Sequence, residues 1–421
     1  MKSIQSLPER VDVAIVGGGI IGVSTAYALS RAGVSVAVFE KSTIACEQSS
    51  RNWGWVRSLM RDLPEIPLAL LANRLWDEIQ GQTDVGFRHS GILYLARTPA
   101  ELDDYRRWLD TARPLGVDAV MLDRTQVSEH LPNARESWIG GLYSRSDGVA
   151  EPALATQGIA GLARRHGAHV REHCAARGLS MRGGGAWAVH TEHGSIQADA
   201  VLVAGGAWSR LFCGNLGVSL PQLKVRASVL STPPVNPPLD IAVNGRDFTC
   251  RPRADGGYTV SQFNASYTDI VPDSFRLFRH FLPAWVKSSG LVKLRFGRAF
   301  FRELRVKRRF GPDGVTPFEQ RRVLDPGPSR AAARSSLKKL AQVFPAFETA
   351  PVREMWGGYI DVTPDALPII SPVAGHVGLY VATGFSGHGF GIGPAVGEVA
   401  AKMVLNQEPE IDLAPFRLSR F

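Results

Sequence analysis

The stretch that most constrains this chain runs from Val11 to Glu40, VDVAIVGGGIIGVSTAYALSRAGVSVAVFE. Val11 to Val16 is a run of apolar, mostly β-branched residues and reads as a buried strand. Gly17, Gly19 and Gly22 follow in G-x-G-x-x-G spacing and open a helical pattern in which Ile20, Ile21, Val23, Tyr27 and Leu29 are apolar. Gly33 stops that helix, and Val34 to Phe39 reads as a second buried strand ending on Glu40. Each part has a physical task. Gly17 makes the tight turn, Gly19 lets the backbone approach a pyrophosphate at the helix N-terminus, and Gly22 lets helix and strand pack closely. Glu40 stands where a carboxylate accepts hydrogen bonds from a ribose 2′-hydroxyl. Strand, glycines, helix, strand and acid in that order predict an ADP-containing dinucleotide. An α/β turn without a ligand leaves the three glycines and the acid unexplained.

A chain of 421 residues is long enough for two domains with real cores. Its 44% hydrophobic and 21% charged content is that of a soluble globular protein. No apolar run is long enough to span a bilayer, and the first strand begins too early to leave room for a signal peptide, so a cytoplasmic location is expected. Cys46, Cys174, Cys213 and Cys250 are scattered without C-x-x-C pairs. That argues for a reducing compartment and against zinc or a disulfide framework. His166, His169 and His173 straddle a helix end and a strand start, which suits a solvated surface better than one metal-binding face. The net charge of +9 points to an anionic partner without saying which, and no nucleic-acid-binding module is visible.

Further along, helices are expected over Pro67–Gln80, Leu102–Leu109, from Glu151-Pro152 to Gly167, over Arg330–Phe344 and over Gly393–Leu405. Strands are expected over Gly91–Ala96, His169–Glu172, Ala186–Thr191, Ala200–Ala204, Val225–Leu230, Tyr258–Gln262, Val352–Tyr359 and Leu379–Thr383. Pro114 to Asp147 is mixed and turn-rich. Residues 41–57 read as a loop leading into a helix, and Gly384 to Gly393 as a second glycine-rich loop. The α/β block after Glu151 belongs with the first, so 87–148 is an excursion into another domain.

EQSSRNWGWVR, VLVAGGAWSRLF, TPDALPIISP and GFSGHGFGIGPAVGE, with the N-terminal fingerprint, resemble the D-amino-acid oxidase superfamily of flavoproteins. Its members include glycine and sarcosine oxidases and amino-acid dehydrogenases. CEQSSR, AGGAWSRLFCGNLGV, TPFEQRRV, DALPIIS and the ending PFRLSRF are similar to the bacterial L-amino-acid deaminases that pass electrons to a respiratory chain. The resemblance runs over nearly the whole chain. It implies an α/β fold: a split Rossmann-like FAD-binding domain with a parallel sheet and helices, from 1–86, 149–220 and 350–421. A smaller α+β substrate-binding domain with an antiparallel sheet comes from 87–148 and 221–349.

The resemblance also implies FAD. Gly17, Gly19, Ile20, Ile21, Gly22, Glu40 and Lys41 match its ADP half, and Ser49, Ser50, Arg51 and Asn52 the loop under the flavin. Ala176 matches the position whose backbone meets the adenine; Ala204, Gly205, Gly206 and Trp208 match the turn near the dinucleotide. Gly357, Gly384, Gly387, Gly389, Phe390, Gly391 and Ile392 match the flavin-facing C-terminal part. A helix starting at Gly393 points its positive end at the flavin, where negative charge develops on reduction. Some relatives attach flavin through a C-terminal cysteine; residues 350 onward contain none, so FAD is expected to be non-covalent. The deaminases also carry an N-terminal membrane anchor, and none is expected here.

The implied reaction is oxidative deamination of an amino acid by hydride transfer to flavin N5, followed by hydrolysis of the imine to a keto acid and ammonia. The alternatives are oxidation of a secondary amine, such as an N-methyl amino acid or a proline derivative, and a subunit that only relays electrons through FAD. The acceptor is oxygen or a membrane quinone. Arg57 follows Trp53 and Trp55 in the loop expected beside the flavin and is the candidate anchor for a substrate carboxylate, with Arg251 and Arg253 as competitors. His388 and Tyr359 are further candidates to line the substrate site. The deaminases place an arginine near the exit of the strand at Tyr258; this chain reads Ser261-Gln262-Phe263-Asn264, so Gln262 joins the candidates.

The segment 273–311 is the compositional outlier. Arginines and lysines from Arg276 to Arg309 stand against only Asp273 and Glu303, and phenylalanines, leucines and Trp285 are interleaved. A helix over Phe275–Lys287 puts Phe278, Phe281, Leu282 and Trp285 on one face. Such a basic amphipathic element predicts peripheral docking on an anionic membrane, here the cytoplasmic face of the inner membrane.

Overall fold

The computed structural model describes residues 7–262, 266–287 and 292–421. Its first sheet has eight strands, with the main order Ile369–Pro372, Leu379–Thr383, Gly194–Val203, Arg10–Val16, Val36–Phe39, His169–Arg171. From Leu379–Thr383 to His169–Arg171 neighbouring strands are parallel, and Ile369–Pro372 adds an antiparallel edge. The hairpin Ala176–Met181 and Trp187–Thr191 continues antiparallel from Gly194–Val203. The first strand is central and buried on both faces: Val13 and Ile15 point into one core, Ala14 and Val16 into the other. Helices Ile20–Arg31, Ile66–Gln80, Pro152–Arg165 and Gly389–Val404 fill the first of these cores. Two of them meet at backbone distance, since a Cβ on Gly397 would lie 2.6 Å from the Ser24 carbonyl carbon.

The second sheet has ten strands and is mainly antiparallel. Ile92–Ala96, Val120–Asp123 and Gly140–Ser144, from the excursion, join strands from 223–295 in it. Parallel pairing occurs at Ala242–Asn244 against Ile92–Ala96 and at Ser266–Asp269 against Val292–Arg295. Helix Arg330–Val343, capped by the Ser329 hydroxyl, packs Ala333, Leu340 and Val343 on this sheet. The parallel sheet with its helices and the second, mainly antiparallel sheet are the architecture expected from the sequence.

Some elements differ from expectation. Glu354–Val362 pairs with Leu223–Thr232 along its whole length, so the chain returns to the first sheet only after Val362 and not at residue 350. The C-terminal helix begins at Gly389 rather than Gly393. Its early glycines serve close packing instead of a loop: a Cβ on Gly391 would lie 2.7 Å from the Trp55 carbonyl, and one on Gly393 2.5 Å from Ile20 Cγ1. Residues 41–57 contain a short helix, Gln48–Arg51, and a two-residue strand, Trp55–Val56.

The single helix expected over Phe275–Lys287 is two, Pro272–Arg276 and Phe278–Lys287. The chain breaks at Leu277, whose side chain turns inward and is buried, and whose carbonyl accepts the first bonds of the second helix from His280 and Phe281. The two acids of this basic segment are its anchors. Asp273 accepts from Arg210 at 2.9 Å and from Arg308 at 2.6 Å, and Glu303 pairs with Lys224 at 2.8 Å. Phe263, Asn264 and residues 288–291 of the basic segment lie outside the described residues.

Candidate active site

A cavity of about 500 Å³ runs from the glycine turn after the first strand to the strands of the second sheet. At one end Gly17 takes φ +115°, and a Cβ there would lie 2.5 Å from the Ala204 carbonyl oxygen. Only glycine meets both conditions. Gly19 tolerates a little more, since its Cβ would meet only Ser49 Oγ at 3.1 Å. Glu40 is buried at the strand end and accepts from the amides of Gly18 and Ser42, each at 2.8 Å. Burial pushes its carboxyl up, against Lys41 and those two amides. Ser49 Oγ accepts the Ile20 amide at 2.8 Å, which fixes the short helix Gln48–Arg51 against the first turn of Ile20–Arg31.

A strap from the far part of the chain closes this end. Phe318 lines the cavity and stacks edge-on against Trp208, 5.7 Å between rings. Glu319 pairs with Arg177 at 2.7 Å and Arg322 with Glu192 at 2.5 Å. Lys41 donates to Glu47 at 2.9 Å and to the Arg322 carbonyl, and stands 4.6 Å over the Trp208 ring. In the middle, buried Asp361 accepts from Gln222 and from the Gly384 amide, both at 2.8 Å. It ties the second sheet to the C-terminal loop, and burial pushes its carboxyl up.

The other end is built on the loop from Trp53 to Glu65. Asp147, fully buried, accepts from the Ser58 amide at 2.7 Å, the Ser58 hydroxyl at 2.8 Å and the Leu59 amide at 3.0 Å. Those bonds pin the turn between Arg57 and Arg61, and both arginines line the cavity. Arg57 donates to the Leu59 carbonyl. Arg61 is only 3% exposed, and its Nη1 has no hydrogen-bond partner among the described residues. Glu65 Oε2 lies 3.7 Å from that nitrogen. Burial, with Arg57 nearby, pulls the Arg61 pKa down to about 10. His388 stands just before the C-terminal helix and places Nδ1 2.7 Å from Glu65 Oε2. Burial pushes the imidazole down, with Arg61 and Arg57 adding to it against Glu65. Trp53, Trp55, Tyr94 and Phe385 form the apolar wall, with Asn244, Gln262 and Tyr359 beside them.

The cavity gathers most residues singled out in the sequence. Gly17, Gly19, Ile20, Ile21, Glu40, Lys41, Ser49, Arg51, Asn52, Ala176, Ala204, Gly205, Gly206 and Trp208 line it, with Arg57, Gln262, Tyr359, Gly387, His388, Gly389, Phe390 and Gly391. Gly22, Ser50, Gly357, Gly384 and Ile392 do not. Gly22 faces the turn behind it, where a Cβ would lie 2.0 Å from the Gly17 carbonyl oxygen. Ser50 caps back onto the Glu47 carbonyl at 3.1 Å, and Ile392 is in the core. Gly357 abuts the Pro326 carbonyl, and neighbouring Gly358 faces the cavity instead. Gly384 meets the Thr363 side chain. The competing anchors are engaged elsewhere: Arg251 with Glu151 at 2.7 Å and Arg253 with Asp255 at 3.3 Å. Arg61, Glu65, Asp147 and Asp361 are not singled out by the sequence. The only local signal is the i, i+4 spacing of Arg61 and Glu65.

The model of the DAO family, described as FAD dependent oxidoreductase, matches residues 12–403. The chain belongs to this family. A member similar in structure is L-amino acid deaminase from Proteus myxofaciens, solved in complex with anthranilate. Its TM-score is 0.95 at 32% identity, covering 99% of this chain and 94% of that one. Glycine oxidase of Geobacillus kaustophilus is 28% identical, with 98% of both chains covered. Mitochondrial dimethylglycine dehydrogenase of Mus musculus is 24% identical over 98% of this chain but only 44% of its own length. The chain thus spans less than half of that relative. As a DAO-family member, the protein is an FAD-dependent oxidoreductase with the α/β fold of the family.

Proposed function

We propose that the protein oxidises an amine that also carries a carboxylate, in the first instance an α-amino acid, and that the resulting imine hydrolyses to a keto acid and ammonia. The observation that carries this reading is a pair of arginines on the cavity wall, Arg57 and Arg61, the second buried with its Nη1 making no hydrogen bond among the described residues and Glu65 3.7 Å away as counter-charge. Two guanidinium groups against one nearby carboxylate leave this end of the cavity positive, and a substrate carboxylate balances that charge. The planar fork suits two parallel bonds to carboxylate oxygens, and Arg57 adds a second positive charge four residues earlier.

FAD, when bound, takes up the hydride that leaves the substrate α-carbon. The chain's own residues hold the carboxylate, orient the C–H bond and keep water out. In this reading the Gly17–Gly19 turn offers bare backbone to the pyrophosphate, and buried Glu40 receives the ribose. Lys41, Ala176, Ala204, Gly205, Gly206 and Trp208 surround the ADP half. Ser49, Arg51, Asn52, Gly387, Gly389, Phe390 and Gly391 surround the flavin. His388, Tyr359 and Gln262 edge the substrate space. The FAD-binding part is built from 1–86, 149–220 and the chain after Val362, and the substrate-facing part from the segments between. Attachment is non-covalent: no cysteine follows residue 350, and burial pushes the thiol of Cys46, on the cavity wall, up to about 11.

A panel of amino acids and N-methyl amino acids, assayed for ammonia and keto acid, tests the reading. Ammonia with a keto acid from a primary amino acid is the expected result. Product from N-methylated or cyclic amines alone transfers the reading to secondary amines. No product from any member leaves a subunit that relays electrons.

The segment 273–311 favours a membrane as the site of electron delivery. Phe275, Phe278, Trp285, Phe296 and Phe301 are all more than half exposed, beside exposed Arg279, Arg298, Arg305 and Lys307. Among the described residues no helix is long and apolar enough to cross a membrane, so contact is peripheral. Charge draws the segment to anionic headgroups and the aromatic rings enter the acyl boundary. The acceptor in this reading is a membrane quinone rather than oxygen.

A further inference from the structure

Residues 316–325 lie in the sequence between two strands of the second sheet, Val292–Arg295 and Glu354–Val362. They are nevertheless fastened to the first sheet. Arg177, in the strand Ala176–Met181, grips Glu319 with two bonds, Nη2 to Oε1 at 2.7 Å and Nε to Oε2 at 3.1 Å. Arg322 grips Glu192, just after Trp187–Thr191, at 2.8 and 2.5 Å. Paired bonds of this kind fix geometry as well as supply energy. Glu319 also caps its own turn, accepting from the Thr316 amide at 2.9 Å and the Thr316 hydroxyl at 2.8 Å. The turn Pro317–Gln320 is therefore held as one piece.

A single oxygen joins this strap to the cavity wall. Glu47 Oε1 accepts from the Leu324 amide at 3.0 Å, from Lys41 Nζ at 2.9 Å and from the Trp208 indole at 3.0 Å. Lys41, Glu47 and Trp208 all line the cavity. Phe318 lines it from the strap and is buried, with its ring 5.7 Å from Trp208, 5.8 Å from Phe212 and 5.4 Å from Phe310. Arg177, Glu192, Glu319 and Arg322 do not line the cavity. They reach whatever fills it only by holding the strap in place.

We propose that residues 316–325 are a clasp for FAD: they form one wall of the space for its ADP half, and the cofactor enters and leaves only when the two arginine–carboxylate pairs open. The proposal rests on the ADP half lying at the glycine turn and is independent of the amine-oxidation reading. It gives a cofactor-holding task to chain that otherwise belongs with the substrate-facing part. A ligand that needs the closed clasp shifts the clasp toward closure, so FAD itself should hold the strap down.

The test follows FAD leaving the loaded protein after dilution, with free flavin separated by rapid gel filtration at set times. Arg322→Gln and Glu319→Gln should each release FAD about ten-fold faster than wild type, the loss of a charge-assisted pair. Arg97→Gln is the control. It breaks bonds to Asp247 at 2.9 Å and Glu136 at 2.8 Å, away from the cavity, and should release FAD at the wild-type rate. Amide hydrogen exchange over 318–324 in wild type should be slower with FAD than without it, and decides the matter if the clasp variants do not fold. Wild-type release rates in both clasp variants overturn the proposal. Equal acceleration in Arg97→Gln does so too, as does exchange over 318–324 that is indifferent to FAD. Any of these leaves the amine-oxidation reading standing if an amino acid still reduces the enzyme. A protein that takes up no FAD overturns both.

Discussion

Nδ1 of His388 stands 2.7 Å from Oε2 of Glu65. The contact joins the residues that immediately precede two helices, Gly389–Val404 and Ile66–Gln80, and it does so at the wall of the cavity. The bond from Trp76 to the Gly391 carbonyl, 2.8 Å long, is a second tie between the same helices. Glu65 therefore has two tasks: it orients His388, and it supplies the negative charge 3.7 Å from Arg61. Burial pushes its carboxyl up, but His388 and Arg61 outweigh burial and hold it below its ordinary value.

Glu65→Gln keeps an acceptor for His388 and removes the charge facing Arg61. It should cost about 3 kcal/mol of stability, as when one partner of a buried pair is lost. The shift of the urea midpoint measures it. Glu65 raises the His388 pKa, so the imidazole in Glu65→Gln should titrate lower still. For wild type the sign follows from linkage. The folded imidazole sits below its ordinary 6.5, so it binds fewer protons than the unfolded chain as pH falls through 6.5, and stability declines from there downward. A stability that rises as pH is lowered from 7 to 5 would contradict this assignment.

Arg61→Lys and Arg57→Lys should each raise the KM for the preferred amino acid by about ten-fold or more, on the order of the charge-assisted bonds lost. The larger effect belongs to Arg61, because Arg57 already donates to the Leu59 carbonyl. Asp147→Asn should act through both, since Asp147 holds the Ser58–Leu59 turn between them. Steady-state kinetics showing normal KM in Arg61→Lys would remove that residue from the substrate site.

Two glycines of the fingerprint should fail in different ways. Gly17→Ala meets the Ala204 carbonyl oxygen at 2.5 Å in a left-handed backbone, so the fold itself should suffer and soluble yield should drop. Gly19→Leu has only Ser49 Oγ nearby at 3.1 Å, so it should fold and purify without FAD. In wild type, acid or heat should release FAD intact into the supernatant, read by its absorbance. Flavin that stays with the precipitate contradicts non-covalent attachment.

Much of the first sheet is legible in the sequence because period and punctuation agree there. Val13–Val16 alternates between two cores, and Gly17 and Gly33 mark real ends. The strand Leu379–Thr383 is placed to the residue. The C-terminal helix starts before its glycine-rich stretch ends, because Gly391 and Gly393 are set by how closely another chain segment approaches and not by a loop. The hairpin strand Ala176–Met181 is not visible in the sequence, because its outer residues are exposed and it lacks an apolar run. Arg61, Glu65 and His388 come together across more than 300 residues, so no sequence window contains them. The acids Asp147 and Asp361 look like ordinary polar residues until burial shows them as the fixed points of two loops.

The basic segment should be held by Asp273. Burial pushes its carboxyl up, but Arg210, Arg308 and Arg276 hold it down at about 2, below an ordinary 3.8. A depressed carboxylate contributes stability above the unfolded value and loses it as pH falls through the folded one. The segment should therefore loosen between about pH 4 and 2, and Asp273→Asn should loosen it at neutral pH, read as faster limited proteolysis within 273–311. Asp273→Asn with wild-type cleavage rates contradicts the anchor.

Membrane docking is checked by sedimentation with anionic and neutral vesicles. Wild type should pellet with the anionic ones, and a variant with Arg279, Arg298, Arg305 and Lys307 changed to Gln should stay in the supernatant. Those four are chosen because Arg308 is committed to Asp273. Equal recovery for both proteins and both lipids, with fast turnover on oxygen alone, contradicts docking.

The most direct measurement mixes FAD-loaded enzyme with amino acids without oxygen, each beside its carboxamide, and follows the flavin absorbance near 450 nm, where oxidised flavin generally absorbs. The account predicts bleaching by at least one amino acid, little or none by its amide at the same concentration, and an apparent Kd for that amino acid raised about ten-fold or more in Arg61→Lys. A flavin that stays oxidised with every amino acid, or that bleaches as fast with the amide as with the acid, contradicts it.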